Sequence, residues 1–301
     1  MASFTKKQLR ITITLSEGKF GGTNSNTLIV EGLRASCTVQ NLGAPNMGNA
    51  SVYIWGMSQS DMNQMTIFSW SPYAYNKGNT ILIEANNNYP NDKWSAVYFG
   101  DIFNAWADYR NAPDVFMYIE TISQNYNKLN ELPVTSFPGA IKASKVMADL
   151  ASKMGMDFED NGVESILMDP YYHGTGIEQC KQIAKDYNFD CNYENNTMLI
   201  SPKGKPRKGT APLLNKESGL VGYPTFSATG IVFTALYDPA IRFMGAVQID
   251  GGVPVPGGDR NNPSIGTWMV YKLVTVLESE MPRGQWFNYG EGYPVNASTS
   301  S

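Results

Sequence analysis

Residues 203–209, with the sequence KGKPRKG, form a dense basic cluster and are the first candidates for anion binding. A phosphate loop needs the pattern Gly-x4-Gly-Lys-Ser/Thr followed by a helix, because backbone amides and the helix dipole must converge on the phosphate oxygens. Here Pro206 removes one amide, Pro212 follows, and no helical apolar pattern comes after them. The sequence therefore predicts a solvated linker between two modules at this position.

The single histidine, His173, is the next candidate for metal or catalytic chemistry. It lies in the segment DPYYHG, and no Cys or His stands nearby at the spacing of a zinc site. A Ser-His-Asp triad would need this same histidine, and the chain has no Gly-x-Ser-x-Gly turn to supply the nucleophile. We expect His173 to be a solvated or hydrogen-bonded loop residue.

Carboxylates could hydrolyse a glycosidic bond if two of them faced each other across a substrate. The candidates are Asp101, Asp108, Glu159, Asp160, Glu278 and Glu280. Nothing in their spacing is specific to a glycosidase, and charged residues at strand ends and in loops account for them better. The sequence thus predicts no catalytic residue, no metal ligand and no cofactor site.

The three cysteines, Cys37, Cys180 and Cys191, are an odd number and do not suggest a disulfide framework. Cys37 falls in an alternating strand pattern, and Cys180 falls on the apolar stripe of a predicted helix. We expect reduced thiols that pack as small hydrophobic side chains.

Length and composition favour a multidomain subunit of a large assembly. The chain has 301 residues, which exceeds the common size of one domain, and only 17% of them are charged. The net charge of −4 argues against binding nucleic acid through its phosphates. The N-terminal sequence lacks the apolar core of a signal peptide, and no apolar run reaches the roughly 20 residues of a bilayer span. We expect a soluble chain made in the cytoplasm.

The first 128 residues show the period-two pattern of β-strands. Strands are predicted at 9–15, 28–30, 33–39, 50–55, 80–84, 94–103 and 114–120. Ser58 and Asp61 form a potential capping box, which predicts one short helix after the fourth strand. The apolar side chains expected to pack over the open end of a barrel or sandwich are Met62, Met65 and Ile67.

Between residues 129 and 203 the apolar period changes to that of helices. A first helix is predicted, entered at Pro138 and ended before Gly155. Its apolar face consists of Ile141, Val146, Met147, Leu150, Ala151 and Met154. A second helix is predicted at 177–187, followed by a β-hairpin that turns at residues 194–196. The segment therefore reads as a small α+β domain.

After residue 203 the strand pattern returns, with strands predicted at 231–236, 241–249 and 268–277 and a frayed C-terminal tail. The predicted fold is mainly β with a small α+β module. The predicted domains are 1–128, 129–203 and 204–301, with the segment GLVGYPTF as the first edge of the last domain.

The order of these segments resembles a known family over nearly the whole chain. The resemblance rests on the short sequence segments GMSQSDM, GDI, APDV, GLVGYP and DPAIRFMGAVQI. They are similar to the baseplate hub proteins of contractile-tailed bacteriophages, the trimeric family that joins the tail tube to the central spike.

The resemblance implies that residues 1–128 and 204–301 are two β-barrel domains like the tail-tube subunit. A homotrimer would then present six similar barrels to a sixfold tube above a threefold spike. The implied protein is a structural component of the virion tail baseplate without enzymatic activity, assembled in the host cytoplasm. Its implied partners are the tail-tube or tube-initiator proteins, the central spike protein and the baseplate wedge proteins. Genomic DNA would pass through the lumen without specific binding, and no membrane anchor is implied.

Two other functions remain open from the residues. The carboxylates would suit a peptidoglycan-degrading tail protein. The 17 Tyr and 6 Trp residues would suit a host-surface carbohydrate-binding module.

Overall fold

The computed structural model describes residues 5–21, 25–43, 47–68, 78–252 and 265–295. Thirteen strands in this part of the chain form one large sheet, and seven shorter strands belong to a module inserted between its two halves. This arrangement confirms the mainly β fold with a small α+β module. None of the helices in these ranges is long and apolar enough to cross a bilayer.

The first half of the sheet is an antiparallel set of seven strands. The elements are β1 Gln8–Thr14, β2 Thr27–Glu31, β3 Ala35–Asn41, β4 Asn49–Trp55, α1 Gln59–Met65, β5 Thr80–Asn86, β6 Ser95–Asp108 and β7 Phe116–Ile122. The order in space is β3-β4-β7-β6-β5-β1-β2. Their inward side chains, among them Ile11, Val52 and Ile83, converge on one core, so the sheet curls around it. Along the described strands the ladders form an open path, and no pairing between its ends closes a barrel.

The short helix α1 begins where the sequence predicts it. Ser58 Oγ accepts a hydrogen bond from the Asp61 backbone N–H at 3.1 Å and donates one to the Asp61 carboxylate at 2.7 Å. The carboxylate thus binds the capping hydroxyl, whereas the predicted capping box places it on the backbone N–H. Met62, Met65 and Ile67 are buried in the first core, as the prediction requires.

The inserted module, which we call the mixed module, runs from the end of β7 to residue 202. Its elements are α2 Asn125–Leu129, β8 Thr135–Ser136, β9 Ala140–Lys142, α3 Ala143–Lys153, β10 Asp157–Asp160, β11 Ile166–Met168, β12 Tyr171–Tyr172, α4 Gly176–Asp186, β13 Phe189–Glu194 and β14 Thr197–Pro202. Strands β10, β14 and β13 make a three-stranded sheet, and α3 and α4 share its apolar core. The predicted hairpin is β13–β14, and its turn residues Asn195 and Asn196 have the positive φ of a two-residue hairpin loop.

The start of the first predicted helix is wrong by several residues. Ile141 lies in β9, and α3 begins only at Ala143, so Pro138 precedes a strand and does not enter the helix. The helix ends as predicted, because Gly155 has a φ of +69° just after it. The start of α4 is fixed by a capping box between Thr175 and Glu178, which the sequence analysis did not identify.

The second half of the sheet follows the mixed module. Its strands are β15 Leu213–Leu214, β16 Thr225–Phe226, β17 Ile231–Leu236, β18 Ala246–Asp250, β19 Ile265–Ser279 and β20 Trp286–Pro294. The predicted strand 241–249 is too long, because residues 241–245 form turns in which the backbone N–H groups of Ile241 and Gly245 bond to residues three positions earlier. A second apolar core, built around Phe233, Phe243 and Val247, lies under these strands.

Strand β20 is absent from the predicted strands. Its inward positions are Trp286, Asn288, Gly290 and Gly292, so the usual apolar alternation is missing. The glycines give room for large neighbours: a Cβ atom at Gly290 would overlap the Phe233 ring, and one at Gly292 would press on Trp268.

One long strand joins the two halves of the sheet. β19 pairs with β18 at its beginning, with β20 along most of its length, and with β3 from Leu273 to Ser279. Side chains reinforce the joint, because the Trp286 indole N–H donates to Asn87 Oδ1 at 2.7 Å and the Asn87 amide donates to the Tyr237 carbonyl at 3.3 Å. The two halves are therefore one hydrogen-bonded body.

A buried arginine fixes the mixed module to the second half of the sheet. The Arg207 side chain is only 4% exposed and donates to both oxygens of Glu159, from Nε at 2.9 Å and from Nη2 at 2.6 Å. Its Nη1 binds Glu194 and the Phe243 carbonyl. The prediction of a solvated linker over 203–209 is therefore wrong at its centre, because two carboxylates of the mixed module draw this guanidinium inside.

The first test concerns the contact between β20 and β17. We expect Gly290→Ala to lower the free energy of unfolding by about 2 kcal/mol, because the new methyl group overlaps the Phe233 ring. Phe233→Leu alone costs about 1 kcal/mol through the cavity it leaves. In the double variant the smaller Leu side chain makes room for the methyl group. Its loss in free energy of unfolding should therefore be at least about 1 kcal/mol smaller than the sum of the two single losses. Urea unfolding measures the stability of the two single variants and the double variant. Strictly additive losses would contradict the contact between Gly290 and the Phe233 ring.

The second test concerns the buried arginine. Arg207→Met should lower the free energy of unfolding by about 3 kcal/mol, because it leaves the Glu159 and Glu194 carboxylates without their shared cation. Arg242→Met is the matched control, since Arg242 touches the same Glu159 carboxylate at 3.3 Å from a half-exposed position. Its loss should stay below about 1 kcal/mol. Denaturant unfolding measures both variants. Equal losses would show that the burial of Arg207 adds nothing to its contribution to the free energy of unfolding.

Candidate assembly interfaces

The single histidine lies on the surface of the mixed module, between β12 and α4. His173 is exposed, and its ring centroid is 6.5 Å from that of Tyr171. The nearby Glu178 has a lowered pKa, chiefly because the Thr175 backbone N–H donates to it, with a smaller contribution from His173. In the ranges that the structure describes, no three His, Cys, Asp or Glu side chains come together as a metal site.

The carboxylates named as glycosidase candidates occupy different parts of the fold. The Arg207 guanidinium lowers the pKa of Glu159 to about 2, so this carboxyl carries no proton to donate near neutral pH. Asp101 lies on β6 opposite Thr80 of β5. Among the remaining candidates, Asp108 binds Arg110, Asp160 accepts from the backbone of Gly162 and Val163, Glu278 accepts from the Gln285 backbone, and Glu280 binds Lys6; Asp101 also takes part in an interaction.

The cysteines are free thiols, as expected. Cys37 is buried in the first core, and burial raises its pKa to about 12, which makes it an inert packing residue. Cys180 of α4 and Cys191 of β13 both point into the core of the mixed module.

The two ends of the longest strand path in the large sheet, β2 and β16, are the clearest candidates for assembly. β2 and β16 each pair with a neighbour on one side only within the described strands. We call them the β2 edge (residues 27–31) and the β16 edge (residues 221–226). Each has backbone N–H and C=O groups on its outer side that no described strand pairs with, and another chain can add a strand there.

Both edges carry exposed apolar side chains. At the β2 edge Ile29 is 60% exposed; at the β16 edge Tyr223 is 77% exposed and Phe226 is 49% exposed. Residues 218–237 contain no charged side chain, although charged residues are a common protection of free edges. The β16 edge is thus open to pairing. The predicted edge segment GLVGYPTF contains it, so the sequence did identify this end of the sheet.

A third apolar surface lies on the mixed module and was missed from the sequence. The outward side chains of the short strands β11 and β12 are exposed, namely Ile166, Met168 and Tyr171. The alternation around buried Leu167 was the available signal, but three residues are too short for a reliable strand pattern.

The comparisons with known proteins agree with this fold. Residues 8–282 match the protein family described as "Baseplate hub gp41". Comparison with curated proteins finds no match.

Solved structures of tail proteins and of a type VI secretion component share the fold at low sequence identity. The 43 kDa tail protein of prophage MuSo2 from Shewanella oneidensis is 9% identical with a TM-score of 0.58, and the match covers 95% of this chain and 98% of that one. A tail protein from Neisseria meningitidis MC58 is 7% identical with a TM-score of 0.58, over 95% and 96% of the two chains. The c3393 protein of E. coli, a component of the type VI secretion system similar in structure to the T4 tail proteins gp27 and gp5, is 6% identical with a TM-score of 0.51, over 87% and 73%.

The family match spans nearly the whole chain and includes the first half of the large sheet, the mixed module, the Arg207 contact and the second half as far as β19. The structural likenesses are too remote in sequence to show more than a shared fold, and that fold is the one found in phage tails. The chain therefore belongs to the Baseplate hub gp41 family, a family of structural proteins of the bacteriophage tail baseplate.

Proposed function

We propose that three copies of this chain form the hub ring that joins the sixfold tail tube to the threefold central spike. The observation that carries this proposal is the pair of unlike free edges at opposite ends of one sheet. An edge that pairs with a different edge of the next subunit makes a head-to-tail contact. Contacts of this kind close into rings when the rotation between subunits allows it.

In the proposed ring, the β2 edge of one subunit adds to the β16 edge of the next. The sheets of three subunits then form a continuous wall. The exposed side chains at these edges, Ile29, Tyr223 and Phe226, become buried between subunits. The low content of charged residues suits such permanent interfaces.

Each subunit supplies two tube-like domains to the ring, residues 1–128 and 204–301, with 129–203 as a separate mixed domain. Two apolar clusters in the large sheet support this division, with Tyr237, Leu277 and Trp286 of the last segment packing into the first cluster. Three subunits therefore present six similar β-regions to a sixfold tube while keeping the threefold symmetry of a spike.

The partners of the proposed hub are the tail-tube or tube-initiator protein, the central spike and the baseplate wedge proteins. Genomic DNA crosses the lumen without specific binding, which the net charge of −4 favours. The ring forms in the host cytoplasm and remains in the virion tail.

We also propose that the chain has no enzymatic activity. A zymogram with purified peptidoglycan should therefore show no cleared band for this chain, beside a lysozyme control on the same gel. A band that disappears in Glu278→Gln, while circular dichroism shows an intact fold, would contradict the proposal.

The proposed ring predicts a specific response to edge variants. Sedimentation equilibrium of the purified wild-type chain should give three times the chain mass of 33.2 kDa. Ile29→Asp and Phe226→Asp should each produce monomers, because a buried unpaired carboxylate is costly at either edge. Tyr109→Asp is the matched control, since Tyr109 is also 49% exposed but lies in the β6–β7 loop. Trimers that survive both edge variants would rule out these edges as the interface.

A further inference from the structure

Two thiols and a phenol meet inside the mixed module. Cys180 lies on the inward face of α4, and Cys191 and Tyr193 lie on the facing side of β13. The Cys191 Sγ atom is 3.7 Å from the Tyr193 hydroxyl. Cys180 packs in the same core, and hydrogen bonding with Cys191 contributes to the raised pKa of its thiol. The helix and the hairpin thus place two cysteines, eleven residues apart in sequence, on facing sides of one core.

The two thiols differ in access. Cys180 is fully buried, whereas Cys191 is half-buried and lines a cavity of about 410 Å³ at the junction of the mixed module and the large sheet. Tyr193, Lys181, Lys203 and Phe243 also line this cavity. Its volume suits a small peptide-like molecule. A reagent can therefore reach Cys191 first, and Cys180 lies deeper in the same core.

We propose that Cys180 and Cys191 are a redox-active dithiol, which closes to a disulfide by exchange with low-molecular-weight disulfides that enter this cavity. The Cys191 thiolate attacks one sulfur of the small disulfide and releases one small thiol. The Cys180 thiolate then attacks Cys191 Sγ and releases the second small thiol. Two protein thiols are oxidised, one small disulfide is reduced to two thiols, and the two cysteine protons pass to the released thiolates.

The surroundings of the pair make the exchange slow. Hydrogen bonding with Cys191 and burial raise the pKa of Cys180, and burial raises the pKa of Tyr193. Only a small fraction of the Cys180 thiol is therefore ionised near neutral pH, so rapid, catalytic turnover is not expected. Such a pair stays reduced in the cytosol and closes in an oxidising medium, where a released virion would be found.

Closure would join α4 to β13 across a short loop. Because a cross-link restricts the unfolded chain, the oxidised protein should melt about 5 °C higher than the reduced one. Cys37 serves as an internal control for thiol reactivity, since it is buried in the core of the first half of the large sheet without a thiol partner.

The experiment treats the folded full chain with oxidised glutathione and measures intact mass and free thiols after denaturation. The expected product has lost about 2 Da, one thiol remains of three, and peptide mapping links Cys180 to Cys191. Cys37→Ala should give the same cross-link and leave no free thiol. Cys180→Ala should instead collect one glutathione adduct at Cys191, because the second attack is impossible. A wild-type chain that stays unmodified, or that keeps the glutathione adduct, would overturn the proposal.

Discussion

The pairing of β19 with β3 is the constraint on which the rest of the structure depends. Seven ladder positions, from Leu273 to Ser279, join a strand near the end of the chain to one near its beginning. Without this ladder the two halves of the sheet would be independent domains on either side of the mixed module. With it, the Asn87, Tyr237 and Trp286 side chains meet at the joint and hold the halves at one angle. The mixed module is attached to a body that is already rigid.

Local pattern was sufficient for much of the fold but could not show this joint. The strands of the first half alternate cleanly because one face meets an apolar core and the other does not, as Leu9, Ile11 and Ile13 illustrate. β20 escaped the same reasoning because its inward positions include Asn288 and two glycines, which are chosen by the size of Phe233 and Trp268 opposite. Tertiary contacts determine these residue types, and the sequence pattern of one strand does not reveal those contacts.

The candidate sites also differ in whether local sequence or tertiary contacts determine them. The β16 edge could be predicted, since an uncharged stretch between turns is a property of the sequence itself. The burial of Arg207 could not, because Glu159 and Glu194 reach it only after the mixed module has folded. The Cys180–Cys191 pair lies between these cases. Cys180 was on the apolar stripe of a predicted helix and Cys191 in the predicted hairpin, but only the packing of α4 on β13 places them in one core.

The rigid joint also bears on symmetry in the proposed assembly. A ring built by head-to-tail pairing closes at a fixed number of subunits only if every subunit turns the sheet through the same angle. A flexible linker between the two halves would let that angle vary, and open chains of subunits would compete with the ring. Because β19 makes the two halves one sheet, the turn within a subunit is set by ladder hydrogen bonds and by the bulge between Val270 and Lys272. The strand that joins the halves of one chain is therefore the element that would fix the number of chains in the ring.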